Sequence, residues 1–252
     1  MARKKLYINN KEKSKDDFKR KKQIKEQVKS VLIACEDKIS SPNYFKMIIK
    51  RLIEDKKITQ DSLVIAKHEH VNPKGVLQDL LNHKKDDKTY KDFEHRWIVI
   101  DRDIARVNGG GHPKDDFLTA LSEAKSKRVE VAYSNDCFEI WYLLHFVYRD
   151  TAISRDDVIK EVIKKLKDKN FATFSKLNKE NIKTKEMTEL IFNELLELQK
   201  TAIKNAKNYL KIMQIYTIQN LPHDIYKKLE IIYNQKASTY NILLCSLGPK
   251  LS

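Results

Sequence analysis

The stretch VLIACEDK, residues 31–38, decides how the start of the chain folds. Five small or apolar residues, 31–35, run directly into two acids, Glu36 and Asp37. An apolar run of this length that ends in charge is typical of a buried β-strand. An acid directly after such a strand either caps the following helix or contributes to an active site. Only the neighbouring elements can separate these two alternatives.

Strand and helix patterns alternate after this first strand. Apolar runs predict three further strands, near residues 63–66, 97–100 and 129–133. Helical spacing of apolar residues predicts a helix after each strand, and the first helix has Ser41 as its expected N-cap and Pro42 in its first turn. This alternation indicates an α/β fold, with a mostly parallel sheet flanked by helices.

The rest of the chain divides into two regions of different composition. Beyond about residue 150 the pattern is helical and rich in lysine, in the segments DDVIKEVIKKLK, TELIFNELLELQKTAIKNAKNYL and PHDIYKKLEIIYN. Before the first strand, the chain is strongly basic. The predicted organisation is a basic N-terminal arm over residues 1–29, an α/β domain over residues 30–150 and a helical C-terminal region over residues 151–252.

The net charge of +15 predicts a polyanionic partner such as nucleic acid. Residues 1–30 hold 12 Lys and Arg against 4 Asp and Glu, a net charge of +8. The arm's candidate contacts with phosphate are Lys4, Lys5, Lys19, Arg20, Lys21 and Lys22. A lysine-rich surface can also reflect the base composition of a genome, so charge alone leaves the function open.

The composition also argues against several classes of protein. No apolar run approaches the roughly 18 residues of a membrane span, and the basic N-terminus lacks the apolar core of a signal peptide. A cytoplasmic protein without a membrane partner is therefore expected. The cysteines are too widely spaced to indicate a zinc site or a disulfide framework.

Carboxylates follow two strands that a parallel sheet can place side by side. Glu36 follows the first strand, and the stretch WIVIDRD brings Asp101 and Asp103 to the end of a later one. The carboxyl ends of parallel strands share one edge of a sheet, and alternation along the backbone places residues 101 and 103 on the same side. Carboxylates this close repel one another unless a cation lies among them, and oxygen ligands favour Mg²⁺ or Mn²⁺. The pattern predicts a metal site, with helix capping by each acid as the alternative.

An acid after the first strand and a DxD after a later one resemble the Toprim domain, which primases, topoisomerases and nucleases of the overcoming-lysogenization-defect group share. Further stretches are similar to the RloB-like family of restriction-locus and phage-defence proteins, namely VLIACEDKISSPNYF, WIVIDRD, VAYSNDCFEIWYLLHF, AIKNAK and KASTYNILL. The resemblance covers about residues 1–245 and implies a Toprim-like sheet within residues 30–150.

The resemblance also implies roles for single residues. Glu36 would act as general acid and base in phosphoryl transfer or share the metal, while Asp101 and Asp103 would bind Mg²⁺ or Mn²⁺. Lys38 and Arg102 would contact phosphate, unless they are solvated surface residues. The implied function is a metal-dependent nuclease that cleaves DNA or RNA in phage defence, with an ABC-type ATPase as its partner. A non-catalytic, nucleic-acid-binding subunit with a silent site is the alternative.

Some positions depart from the family pattern or allow two interpretations. Asp37 stands where the family has Gly, and it either adds a ligand or raises local repulsion; Asp136 stands where the family has Pro. Asn135 is either a site residue or the N-cap of the next helix, and Glu139 is either a further ligand or half of an ion pair. The stretch VNGGGHPKDD, residues 107–116, lacks the ending of a P-loop and is predicted to be a loop beside Asp101 that touches substrate.

Overall fold

The computed structural model describes residues 30–56, 58–102, 111–149, 151 and 153–208. The predictions for the basic arm, for Asp103 and for the helix at residues 222–234 lie outside the described residues. Within the described part of the chain, no helix is long and apolar enough to span a membrane.

The α/β prediction is confirmed by a parallel sheet of four strands. The strands in chain order are β1 Val31–Cys35, β2 Leu63–Ile65, β3 Lys84–Lys85, β4 Lys88–Thr89, β5 His95–Asp101 and β6 Glu130–Ser134. The main sheet has the order β2-β1-β5-β6, and every pairing in it is parallel. Strands β3 and β4 form a separate antiparallel pair that the sequence pattern did not predict. The strands that end before Glu36 and at Asp101 are therefore direct neighbours, which is the arrangement that the proposed metal site requires.

Helices connect the strands and continue beyond the sheet. They are α1 Ser40–Glu54, α2 Pro73–Leu81, α3 Lys114–Ser126, α4 Ile140–Leu144, α5 Arg155–Lys169, α6 Phe171–Phe174 and α7 Lys185–Leu195. The long helix predicted after residue 187 is interrupted, because α7 passes into a 3₁₀ turn at Leu196–Leu198 before residues 199–208 continue as helix. The helix predicted within CFEIWYLLHF is only five residues long.

The start of α1 corrects the predicted cap. The carboxylate of Asp37 accepts hydrogen bonds from the backbone N–H groups of Ile39 at 2.8 Å and Ser41 at 3.0 Å. The Ser41 hydroxyl also donates to Asp37, so it does not cap the helix itself. Asp37 can take this role because the N–H groups at the start of a helix have no partner within the helix, and two of them point toward its carboxylate. The extra acid beside Glu36 therefore holds the turn that joins β1 to α1.

Side chains from the two faces of the sheet enter two separate cores. On one face, Ile33 and Trp97 pack with α1, α4 and the C-terminal helices, and on the other face Leu32 and Ile98 pack with α2. The C-terminal helices are further tied to the first core by hydrogen bonds from Gln199 Nε2 to the Tyr44 hydroxyl at 2.7 Å and from Asn205 Nδ2 to the Leu144 carbonyl at 2.9 Å. The helical region is thereby fixed against the sheet, and this packing brings α5 to the carboxyl edge of the sheet.

Candidate active site at the carboxyl edge of the sheet

Glu36 is held at the carboxyl edge of the sheet by neighbours on both of its carboxylate oxygens. Its backbone N–H donates to the Val99 carbonyl at 2.9 Å, which continues the β1–β5 ladder. Its Oε2 accepts the backbone N–H of Asp101 at 2.9 Å, and its Oε1 lies 2.6 Å from His112 Nε2. The side chain is only 11 % exposed. Glu36 is therefore oriented by the backbone of β5 and by an imidazole that can share a proton with it.

Asp101 lies beside Glu36 at the end of β5. Its backbone is in register with Ser134 of β6, and its side chain is 17 % exposed. Burial raises the pKa of Asp101 well above its ordinary value, and repulsion from Glu36, Glu139 and Asp37 raises it further. The guanidinium of Arg155, which lies 3.5 Å from Asp101 Oδ2, opposes this rise. Negative charge is thus concentrated at this edge beyond what one arginine offsets.

Glu139 is the most deeply buried acid near the site, with no solvent exposure. Its Oε1 accepts the Ser40 hydroxyl at 2.9 Å, and its Oε2 lies 3.3 Å from the Nζ of Lys183. Burial lowers the pKa of Lys183, but the attraction of Glu139 outweighs it, so the pKa stays above its ordinary value. In this arrangement, Glu139 forms an ion pair that joins α1 to the segment before α7.

The remaining predicted residues lie around this edge with fewer contacts. Asn135 follows β6 and is half-buried, and its peptide bond to Asp136 is cis. The helix it was expected to cap, α4, begins five residues further on, at Ile140. Arg102 is half-buried and its backbone N–H donates to the Ser134 carbonyl at 2.7 Å, whereas the side chain of Lys38 is exposed. The structure therefore brings Glu36, Asp37 and Glu139 close enough to Asp101 to repel its charge, and it leaves Lys38 exposed and Arg102 half-buried.

Two residues of the site were not predicted from the sequence. His112 comes from the glycine-rich stretch after Asp101 and is 19 % exposed beside Glu36. Arg155 is the first residue of α5, and its Nη2 donates to the Asp136 carbonyl at 2.9 Å. The lone histidine after three glycines was a usable signal for the first residue. No local pattern marks Arg155, because its place depends on how α5 packs against the sheet.

Oxygen ligands are available at this edge for a divalent cation. No cluster of three or more His, Cys, Asp or Glu residues in the described part of the chain could hold a metal ion, and Asp103 lies outside that part. Glu36 and Asp101 nevertheless fit Mg²⁺ or Mn²⁺ in chemistry, since both offer carboxylate oxygens. Burial raises the pKa of Asp101, and repulsion from Glu36 raises it further. A cation placed between them would remove that repulsion.

Comparison with known protein families identifies the family of this chain. The model of the RloB-like protein family matches residues 31–229 of the 252-residue chain, which include Glu36, Asp101, His112 and Arg155. Neither the curated proteins nor the solved structures give a match. Because the family model spans well over half of the sequence, the chain belongs to the RloB-like family.

Proposed function

We propose that this chain is a metal-dependent nuclease that hydrolyses phosphodiester bonds in DNA or RNA. The observation that carries the proposal is the oriented Glu36 carboxylate, between the Asp101 backbone N–H and His112, at the carboxyl edge of a parallel sheet. Ligands and substrates of open α/β sheets bind at this edge. The net charge of +15 suits a polyanionic substrate.

Glu36 and His112 supply a proton-handling pair. Glu36 Oε1 and His112 Nε2 are 2.6 Å apart, so the carboxylate and the imidazole can share a proton in a hydrogen bond. The backbone N–H of Asp101 keeps the other Glu36 oxygen in place, so the carboxylate cannot rotate freely. Such a pair can take a proton from an attacking water or give one to a leaving oxygen. Glu36 is therefore assigned as general acid and base, with His112 as its partner.

Asp101 and Glu36, together with Asp103, would hold the divalent cation. When bound, Mg²⁺ or Mn²⁺ supplies charge that stabilises the phosphate oxygens in the transition state. The local excess of negative charge around Asp101 suits such a cation. Asp37 takes part through its charge, because its oxygens already accept the N–H groups of α1.

The biological setting is part of the proposal. Membership in the RloB-like family supports a role in phage defence beside an ABC-type ATPase. The sequence itself carries no nucleotide-binding signature, so any use of ATP would depend on that partner. A free nuclease would harm its host, and gating by the ATPase would prevent this. Full cleavage by the purified chain without the ATPase would refute the gating.

One observation favours a second candidate, a nucleic-acid-binding subunit with a silent site. Asp101 already has a cationic neighbour in Arg155, at 3.5 Å. An acid whose charge is partly offset by an arginine of the same chain can persist without a metal. In that case the chain would bind nucleic acid through its basic residues and would not cut it.

The two candidates are separated by a cleavage assay with Asp101→Asn as the variant. Wild type and variant are incubated with Mg²⁺, Mn²⁺ or EDTA, with and without the proposed ABC-type ATPase partner. The substrates are plasmid, single-stranded DNA and total RNA. A nuclease cuts at least one substrate with metal, stops in EDTA and loses this activity in the variant. Binding without cleavage under every condition would refute the nuclease and support the silent subunit.

A further inference from the structure

Arg155 is placed at the site by the helical C-terminal region. Its Nη2 donates to the Asp136 carbonyl at 2.9 Å and lies 3.5 Å from Asp101 Oδ2. Its side chain is 30 % exposed, so it is reachable from solvent beside a carboxylate that is mostly covered. The guanidinium therefore forms part of the wall of the site on the side of α5.

The helix that carries Arg155 is fixed in position. Ser154 caps α5 by accepting the backbone N–H of Asp157 at 3.2 Å. The helix then buries Val158, Ile159 and Val162 in the core that it shares with α1 and α4. A side chain anchored at the first residue of such a helix can contact a ligand without a large ordering cost.

A guanidinium so close to the proposed site for a divalent cation needs an explanation, because the two positive charges would repel each other. An anion that contacts both removes the conflict, and a phosphodiester provides one. We propose that Arg155 binds a non-bridging oxygen of the substrate phosphodiester beside Asp101. This inference rests on the proposed function and adds a substrate-binding residue to it. The carboxylate of Asp101 then pairs with the guanidinium of Arg155 only while no phosphate is bound.

The test measures binding of nucleic acid without cleavage. Fluorescent duplex DNA, single-stranded DNA and RNA are titrated with full-length chain in EDTA over a range of salt concentrations. Arg155→Gln is compared with Arg149→Gln as a matched control. Arg149 carries the same charge but is paired with Glu161 of α5. We expect Arg155→Gln to weaken binding about tenfold and to reduce the salt slope by about 0.7–0.9, with little change for the control. Equal affinities and slopes in the two variants would overturn the inference.

A second pair of variants covers the case in which Arg155→Gln alone does not fold. Asp101→Asn removes the carboxylate that competes for the guanidinium, so it should bind nucleic acid more tightly than wild type. Asp101→Asn/Arg155→Gln also removes the guanidinium and should lose that gain. Equal affinity of these two variants would overturn the inference.

The cleavage assay keeps the two proposals apart. If wild type cuts with metal while Arg155→Gln binds as tightly as Arg149→Gln, the nuclease stands and the role of Arg155 is wrong. If wild type binds but never cuts, the nuclease fails, and the binding data alone decide the role of Arg155. A wild-type chain that binds none of the probes would overturn both.

Discussion

The ion pair of Glu139 and Lys183 gives the sharpest prediction about stability. Glu139 has no solvent exposure, and Lys183 is the cation 3.3 Å from its Oε2. Replacing Lys183 by Met keeps the aliphatic stem but leaves a buried carboxylate without its cation. Breaking a buried pair in this way costs about 3–5 kcal/mol, and we take the lower value because Lys183 is 39 % exposed.

The expected loss is large enough to measure by thermal unfolding. For a chain of this size, about 3 kcal/mol corresponds to a decrease in Tm of roughly 6–12 °C. The control is Lys179→Met, which removes a lysine 2.8 Å from Asp156, where both side chains are about 60 % exposed. Exposed pairs contribute about 0–1 kcal/mol, so the control should unfold close to wild type.

A double variant tests the physical reason for the loss. Glu139→Gln removes the buried charge and keeps an oxygen for the Ser40 hydroxyl. Glu139→Gln/Lys183→Met should therefore be more stable than Lys183→Met alone. The reasoning would be refuted if Lys183→Met cost no more than Lys179→Met, or if the double variant were as unstable as the single one.

Three further predictions concern stability. Asp37→Ala removes the cap of α1 and should cost about 1 kcal/mol in urea unfolding; an unchanged midpoint would contradict the capping role. Burial lowers the pKa of His145 from 6.5 to about 4, so the folded imidazole stays neutral while the unfolded one takes up a proton below pH 6.5. Stability should therefore fall as the pH drops from 6.5 to 4, by about 2 kcal/mol at pH 5, and His145→Gln should lose this share; identical pH profiles would disprove it. Gly75→Ala would place a Cβ too close to the Cβ of His70, whose Nδ1 lies 2.6 Å from Asp79. The variant should cost roughly 1–3 kcal/mol in thermal unfolding; a wild-type Tm would show that the first turn of α2 adapts.

The sheet and its two central acids were predictable because their signals are local. An apolar run that ends in an acid identifies both β1 and β5 without knowledge of their partners. The rule that strands in α/β folds pair in parallel then brings Glu36 and Asp101 to one edge. The structure confirms this pairing and adds that the Asp101 backbone itself binds Glu36.

The residues that sequence reasoning missed depend on tertiary packing. Arg155 and Lys183 reach the carboxylates only because the C-terminal helices share a core with the sheet. The cap of α1 was assigned to Ser41, since Ser before Pro is the usual pattern, but the backbone turn directs its first N–H groups toward Asp37. The long helix predicted after residue 187 is interrupted where Gln199 bonds to Tyr44, a contact that helical periodicity does not encode.

The measurement that tests the central claim most directly is the cleavage rate of Glu36→Gln. It should be compared, with metal and on the substrate that wild type cuts, with Glu161→Gln, in which the lost carboxylate is paired with Arg149 and not with a residue of the proposed site. If Glu36 is the general acid and base, its variant should be slower by a factor of about 10²–10⁴, and Glu161→Gln should cut like wild type. Cleavage by Glu36→Gln at the wild-type rate would contradict the assignment of this edge as the active site.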